Sequence, residues 1–77
     1  MSRVGRQLSA LAVGTRGRIM LVARDLSGRA DRLAALGVTQ GAAVRVLQTF
    51  PGIVFECDQT EVAVERAVAG VIWVATE

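Results

Sequence analysis

The second half of this chain consists of short segments rich in apolar and β-branched residues, separated by connections of only a few residues. In most of these segments apolar and polar residues alternate, which is typical of β-strands that bury one face. Connections this short join antiparallel neighbours, because a parallel pair needs a crossover of a dozen or more residues. We therefore predict four consecutive antiparallel strands, over Ala43 to Thr49, Ile53 to Cys57, Glu61 to Glu65 and Val71 to Ala75.

The first half of the chain predicts one further strand and one short helix. A helical turn over Leu8 to Leu11 leads into turns at Gly14 and Gly17, and a strand follows over Arg18 to Ala23. From Arg29 onward the apolar residues recur with helical spacing instead.

Residues suited to caps and turns separate these elements. Ser27 can cap the first turn of the helix, and Gly37 can end it in a left-handed conformation. Phe50-Pro51-Gly52 and Asp58-Gln59-Thr60 supply hairpin turns, and Arg66 to Gly70 is predicted to form one more helical turn.

Five short strands with one helix would leave an apolar face exposed to water if the sheet were flat. We therefore predict that the strands curl into a barrel whose inward side chains form the core. At 77 residues the chain is too short for two independent cores. The predicted fold class is mainly β: a small SH3-like β-barrel of about five strands with a short helix after the first strand. The predicted single domain spans residues 1–77, with a core from about 8 to 75.

The composition excludes most kinds of catalytic and metal site. Histidine and lysine are absent and Cys57 is the only cysteine, so the chain offers no disulfide, no Ser-His or Cys-His pair and no lysine-bearing phosphate loop. Without such partners, Cys57 is interpreted as a small core hydrophobe. Glu56, Asp58 and Glu61 lack the spacing of a calcium loop and are interpreted as solvated carboxylates. We predict no enzyme activity, no metal site and no cofactor.

Charge and hydropathy bear on the kind of partner. All nine basic residues are arginine, against seven acidic residues, so the net charge is only +2. The arginines are scattered from Arg3 to Arg66 rather than gathered in one stripe, so we expect no nucleic acid partner. The longest apolar run, Ala67 to Ala75, is too short to cross a membrane, and no signal peptide is predicted. We expect a cytoplasmic protein with no direct membrane insertion.

Four segments carry an ordered set of glycines and apolar positions: Gly17-Arg18-Ile19, Arg32 through Gly41, Val44-Arg45-Val46 and Val62 through Val74. Together they resemble the core of the FeoA domain, over a range from about Leu8 to Val74. The signature residues of the resemblance are Gly17, Leu33, Leu36, Gly37 and Gly41. Leu33 and Leu36 are expected to plug the barrel end, Gly37 to terminate the helix and Gly41 to make a turn. The interior is expected to be filled by Val62, Val64, Ile72 and Val74.

The resemblance implies a non-enzymatic, cytoplasmic accessory protein of ferrous iron uptake. Its implied partner is the ferrous iron transporter, whose cytoplasmic GTPase domain it would bind and modulate, and that partner would recruit it to the inner face of the membrane. The alternative is an SH3-like regulatory or nucleic-acid-associated module, because the same domain is similar to the C-terminal domain of iron-dependent repressors. A further alternative is a homo-oligomer formed by edge pairing of Val71 to Ala75 between copies.

Five residues are candidates for partner contact. Phe50 and Pro51 lie at a hairpin tip, where an exposed aromatic ring would be available to a partner. Trp73 belongs to a strand that is apolar on both faces, so it could contact either the core or a partner. Arg29 and Arg32 could engage an acidic surface, although an ordinary solvated helix face is the favoured interpretation.

Overall fold

Inward and outward side chains alternate along an antiparallel sheet in the computed structural model of this chain, which describes residues 5–77. Within these residues the strands are β1 (Arg6–Gln7), β2 (Arg16–Val22), β3 (Ala43–Gln48), β4 (Ile53–Cys57), β5 (Thr60–Val64) and β6 (Ile72–Thr76). The helices are α1 (Arg29–Ala35) and α2 (Arg66–Ala69), and a 3₁₀ turn spans Leu8–Ala10. The prediction of mainly β structure is confirmed. The described residues hold six strands rather than about five, and the short helix α1 follows the second strand rather than the first, because the two-residue β1 was not predicted. Residues 1–4 of the predicted domain lie outside the described residues.

The strands form one antiparallel sheet in the order β1-β6-β2-β3-β4-β5, with β1 and β5 at its edges. The predicted closed barrel is therefore wrong, because no ladder joins β1 to β5 within residues 5–77. The physical reason is that β1 contributes only two residues, which pair with Trp73 and Val74 of β6 and do not extend across to β5. The interpretation of Val71 to Ala75 as an edge for pairing between copies is also wrong, since β6 lies between β1 and β2.

The core is a single apolar layer contributed by the inward positions of the strands, the 3₁₀ turn and α1. Phe55, Ile53 and Leu8 are completely buried, and no polar or charged side chain in the described part of the chain is buried. Burying side chains of this size stabilises the fold by roughly 1.5–3 kcal/mol each. The predicted interior residues are confirmed as members of this core or as residues packed against it: Val62, Val64, Ile72 and Val74.

Helix α1 is fixed at both ends by local hydrogen bonds. At its start the Ser27 hydroxyl accepts a hydrogen bond from the Arg29 amide (3.1 Å), although the N-cap position itself is occupied by Gly28. At its end Gly37 adopts the predicted left-handed conformation with φ of 87°. The amides of Gly37 and Val38 donate back to carbonyls of the last helical turn, so the helix ends in a Schellman motif.

Leu33 and Leu36 have different environments, although both are expected to plug the end of the fold. Leu33 is buried in the core, whereas Leu36 is 55% exposed, so the prediction for Leu36 is wrong. The cause is the helix end: the chain reverses at Gly37, and Val38 enters the core next in the sequence. Gly41 makes the predicted turn with φ of 90°.

Gly17 lies inside β2 rather than in the predicted turn, because β2 begins at Arg16. It is buried where β2 approaches β6 closely. A Cβ at this position would overlap the Ala75 carbonyl oxygen and would lie 2.8 Å from Val74 Cγ1. The glycine is therefore required by the distance between two backbones and not by a turn conformation.

Side chains rather than a strand ladder join the two ends of the sheet. The Arg66 guanidinium, in the first turn of α2, donates to the Ser9 carbonyl (3.1 Å) and to the Thr49 carbonyl. Gln7 Nε2 donates to the Gly70 carbonyl (2.8 Å), and α2 packs against the 3₁₀ turn. These contacts connect the β1 end of the sheet to α2, which follows β5, so they close the fold where backbone pairing stops.

We expect Gly17→Ala to lower the free energy of unfolding by about 3 kcal/mol, because a methyl group has no space between β2 and β6. Gly52→Ala is the matched control, since its Cβ would make an ordinary contact 3.4 Å from the Val64 carbonyl oxygen. We expect that control to change stability by less than about 1 kcal/mol. Urea unfolding followed by circular dichroism measures both, and equal stability of the two variants would contradict the close approach.

We expect Arg66→Met to lower the free energy of unfolding by about 1 kcal/mol, because two carbonyl groups lose their charged donor while the apolar stem is retained. Arg16→Met is the control, since the Arg16 guanidinium forms no ion pair or hydrogen bond with any residue from 5 to 77. Its expected change is within about 0.5 kcal/mol. Thermal unfolding compares the two variants, and an Arg66→Met protein as stable as the control would rule out a role for Arg66 in closing the sheet.

Candidate partner-binding surfaces

An irregularity in β2 places two large apolar side chains in succession on the outer face of the sheet. Ile19 pairs with Val74 and Leu21 pairs with Trp73, so the register shifts at Met20. Such a bulge inserts one extra residue and redirects the side chains beside it. As a result Met20 and Leu21 are both exposed, although simple alternation would bury one of them.

Trp73 lies opposite Leu21 and completes an apolar surface on the outer face. It is half-buried and is not part of the core cluster. A Cβ on Gly5 would lie 2.5 Å from Met20 Sδ and 3.8 Å from Trp73 Cε3, so the Gly5 backbone packs under both side chains. We call Met20, Leu21 and Trp73 the outer apolar cluster. The sequence predicts that Trp73 contacts either the core or a partner, and the structure places it on this outer face rather than in the core cluster.

A hollow of about 230 Å³ lies beside Leu21, between the end of β2 and α1. Concave apolar surfaces of this kind accept an apolar side chain of a ligand or partner and orient it with a few polar groups. Arg24 supplies such a group at the hollow, together with Thr39 and Gln40. The apolar walls are formed by Leu21, Val22, Ala30, Ala34 and Val38.

Three arginines and two aspartates on α1 and in the segment before it leave this side of the protein with a net charge of +1. Arg24 forms an ion pair with Asp31 (3.1 Å), and Arg29 forms a longer one with Asp25 (3.8 Å). Both pairs are exposed to solvent, so each contributes little to stability. Arg32 donates from Nη1 to the backbone instead and has no carboxylate partner among the described residues.

The start of α1 holds one of these carboxylates firmly in its charged form. The Ser27 hydroxyl and amide both donate to Asp25, the amide at 2.9 Å, and these bonds lower the pKa of Asp25. Arg29 and Arg32 add smaller effects in the same direction. The two predicted arginines therefore support the helix start, and Arg32 keeps an exposed charge.

Phe50 and Pro51 lie at the opposite end of the sheet from α1. The helix follows the end of β2, and the antiparallel β3 runs away from it toward the Phe50 turn. Phe50 is 82% exposed, as expected for a hairpin tip. The five predicted contact residues therefore do not form one surface: Trp73 lies on the outer face, Arg29 and Arg32 on α1, and the aromatic tip elsewhere.

A groove of about 520 Å³ opens on the outer face where β2, β3 and β4 meet. Arg16, Arg45, Glu56 and Glu61 follow one another across four adjacent strands in a row that passes through this groove. Only the central pair is of opposite charge, with Arg45 Nη2 3.7 Å from Glu56 Oε2. The outer pairs place like charges directly opposite each other, which destabilises a sheet locally. The row is not evident in the sequence, because alternation marks each position as outward but does not give the register between strands.

Cys57 ends β4 on the inner side of the sheet and is buried. Its Sγ donates a weak hydrogen bond to the Gly37 carbonyl at 3.5 Å. Burial raises the pKa of the Cys57 thiol, and the neighbouring Asp58 carboxylate raises it further. The thiol is therefore held in its protonated, unreactive form at neutral pH. The interpretation of Cys57 as a core residue is confirmed.

The carboxylates near this cysteine have structural contacts. Asp58 Oδ1 accepts a hydrogen bond from the Ala43 amide (3.0 Å), and the Asp58 amide donates to the Ala43 carbonyl (3.0 Å), so the turn anchors the start of β3. From residue 5 to residue 77, no three side chains of His, Cys, Asp or Glu are grouped so that they could hold a metal ion. Among the same residues, no helix has both the length and the apolar character that crossing a membrane requires.

Comparison with solved structures identifies the fold. The crystal structure of Stenotrophomonas maltophilia FeoA with zinc, described as a prokaryotic SH3 domain protein, is 22% identical and covers 96% of this chain and 95% of its own, with a TM-score of 0.80. A manganese-dependent transcriptional repressor is 24% identical and covers all of this chain but 44% of its own, with a TM-score of 0.90. At these identities the likeness shows an SH3-like fold alone.

The family follows from two further comparisons. The solution structure of FeoA from Chlorobium tepidum is 30% identical and covers 91% of this chain and 70% of its own, with a TM-score of 0.78. No curated protein matches the chain significantly. The model of the FeoA domain matches residues 6–76, nearly the whole chain. The chain therefore belongs to the FeoA family, whose small SH3-like domains are associated with ferrous iron transport.

Proposed function

We propose that this protein is a non-enzymatic accessory protein of ferrous iron uptake that binds the cytoplasmic GTPase domain of the ferrous iron transporter and modulates transport. The observation that carries the proposal is the match to the FeoA domain over residues 6–76. The S. maltophilia relative is described as a candidate activating factor of bacterial ferrous iron transport, which supports the same role. In this proposal the protein acts in the cytoplasm, and its partner recruits it to the inner face of the membrane.

The outer apolar cluster and the adjacent hollow are the surface that we propose for this partner. Leu21 belongs to both, and its 55% exposure leaves apolar area that a partner would remove from water. An apolar centre with charged residues around it is the usual arrangement of an interface. Here Arg24 lines the hollow, and Arg32 is exposed on the neighbouring α1, so a partner surface with acidic residues around an apolar side chain would be complementary. Trp73 belongs to the proposed surface, and Arg29, on the neighbouring α1, is proposed as an additional contact.

Phe50 and Pro51 are proposed as a second, separate contact. Most of the Phe50 ring is exposed at the hairpin tip. A partner could therefore cover the ring without disrupting packing inside the free protein. Because this tip is at the far end of the sheet from α1, one partner would have to span the outer face to reach both contacts. The two contacts are therefore to be tested separately.

The SH3-like module of a transcriptional repressor is the second candidate function. The observation that favours it is the TM-score of 0.90 with the manganese-dependent repressor over the whole of this chain. Against a nucleic acid partner, the row on the outer face ends in Glu56 and Glu61, which would repel phosphates beside Arg16 and Arg45. For a repressor-like module, these charges therefore favour regulation through contact with another protein over contact with a nucleic acid.

Calorimetric titration of the purified GTPase domain with the folded chain tests the proposal. We expect wild-type binding, and we expect Leu21→Glu to weaken it about tenfold or more, because a charge would be buried at the interface. Val13→Glu is the matched control, since Val13 is 60% exposed and Leu21 is 55% exposed. The control should bind like the wild type. Absence of binding by the wild-type chain would refute the function, and equal affinity of the two variants would refute the surface.

A further inference from the structure

Strand β5 pairs with β4 on one side and forms an edge of the sheet on the other. The turn between the two strands fixes which backbone groups lie on the open side. Asp58 and Gln59 both have positive φ, 46° and 73°, which is the conformation of a two-residue hairpin turn of type I′. In such a hairpin the residues flanking the turn, here Cys57 and Thr60, form a hydrogen-bonded pair.

Hydrogen-bonded and non-hydrogen-bonded pairs alternate from that point along the two strands. Val62 and Val64 therefore bond to β4, whereas Glu61 and Ala63 occupy the intervening positions. The amide and carbonyl groups of Glu61 and Ala63 consequently point away from β4. Both residues are exposed, and their backbone groups form no hydrogen bond outside the β4 ladder with any residue from 5 to 77.

The backbone of the β5 edge is free to add a strand, and its one protective feature is the charge of Glu61. Natural edge strands are commonly protected by proline, charged side chains, a bulge or very short length. Thr60–Val64 contains no proline or lysine, and its register with β4 is regular over five residues. The edge therefore offers two outward amide and carbonyl pairs as a template for an extended segment.

The charges beside this edge are acidic. Glu61 lies directly opposite Glu56 on the outer face, and Asp58 and Glu65 are exposed on either side of the strand. Arg45 is the only cation within 4 Å of any of these carboxylates among the described residues, and it contacts Glu56 alone. The like-charged pair is unfavourable in the isolated protein. A basic side chain added next to Glu61 would remove that cost.

The inner side of β5 is apolar. Val62 is buried, and Val64 is half-buried and packs against the core. A segment that added to this edge would place alternate side chains over Val64 and the others beside Glu61. The edge therefore selects for alternation of apolar and basic residues.

We propose that the β5 edge binds an extended segment of another protein in which arginine or lysine alternates with apolar residues. The segment adds to the sheet as a strand beside β5. This interaction uses a different part of the sheet from the outer apolar cluster, so it does not depend on the proposed transporter contact.

A second copy of this chain is a poor occupant of the same edge. Antiparallel pairing of β5 with itself about Val62 would place the two Glu61 side chains on one face, about 7–8 Å apart on the diagonal. The Glu56 side chain of each copy would lie beside them, so four carboxylates would share that face. The edge therefore disfavours self-association and favours a basic partner.

The test is a titration of the isotope-labelled full chain with a short capped peptide of alternating arginine and valine, followed by amide resonances in NMR spectra. We expect the Glu61 and Ala63 amides to shift and to become protected from hydrogen exchange, while the Val62 and Val64 amides stay protected throughout. The same peptide with glutamate in place of arginine should bind at least about tenfold more weakly. Glu61→Arg should remove or reverse this preference.

Ala63→Pro gives an independent control, because proline removes an outward amide and leaves the β4 ladder intact. It should abolish binding of the arginine peptide. If that variant fails to fold, Glu61→Arg alone decides the question. Unshifted Glu61 and Ala63 amides at millimolar arginine peptide, or equal binding of the two peptides, would overturn the proposal. If protection of these amides instead rises with protein concentration in the absence of peptide, a second copy of the chain is the occupant. That result would also overturn the proposal.

Discussion

One apolar layer has to be covered by a single six-stranded sheet and two short helices, and every other feature of the fold depends on this constraint. The sheet curls so that its inward side chains cover one another around Phe55 and Ile53. Within this sheet the paired strands β2 and β6 approach so closely that only glycine fits at Gly17. Because β1 is only two residues long, backbone pairing cannot complete the ring, and Arg66 joins the ends through carbonyl groups instead. The result is a curled sheet in which the five-residue β5 forms an open edge.

The same constraint determines where the protein can act. Among the described residues no polar or charged side chain is buried, and the surfaces proposed for binding all lie on the outside. That outside is divided by charge: seven of the nine arginines lie between residues 5 and 45, and five of the seven acidic residues lie between residues 56 and 77. In the sheet order, the first group lies on or near β1, β2, β3 and α1, and most of the second lies on or beside β4 and β5. One protein therefore presents a basic and apolar surface beside α1 and an acidic edge at β5.

The sequence was sufficient for the fold class and for most of the strands, because alternation and turn residues are local signals. Gly37 and Gly41 were predicted correctly for the same reason, since each has a positive φ that glycine tolerates. Features that depend on contacts between distant segments were missed. They include the packing role of Gly17, the Arg66 contacts, the bulge at Met20 and the charged row through Arg45. Closure of the barrel was predicted wrongly because β1 is too short to give a periodic signal. Leu36 was predicted wrongly because the position of the helix end does not show on which side the chain leaves the last helical residue.

The central claim is that the sheet is open at β5, and native-state hydrogen exchange of the unliganded monomer tests it most directly. In a dilute sample, the amides of Val62 and Val64 should be protected by the β4 ladder to nearly the same degree as the amides in the centre of β6. The amides of Glu61 and Ala63 should exchange at rates within about tenfold of an unfolded chain, because water is their only partner. Equal and strong protection of all four amides would show that another strand of the same molecule covers this edge, and the open-sheet account would then be wrong.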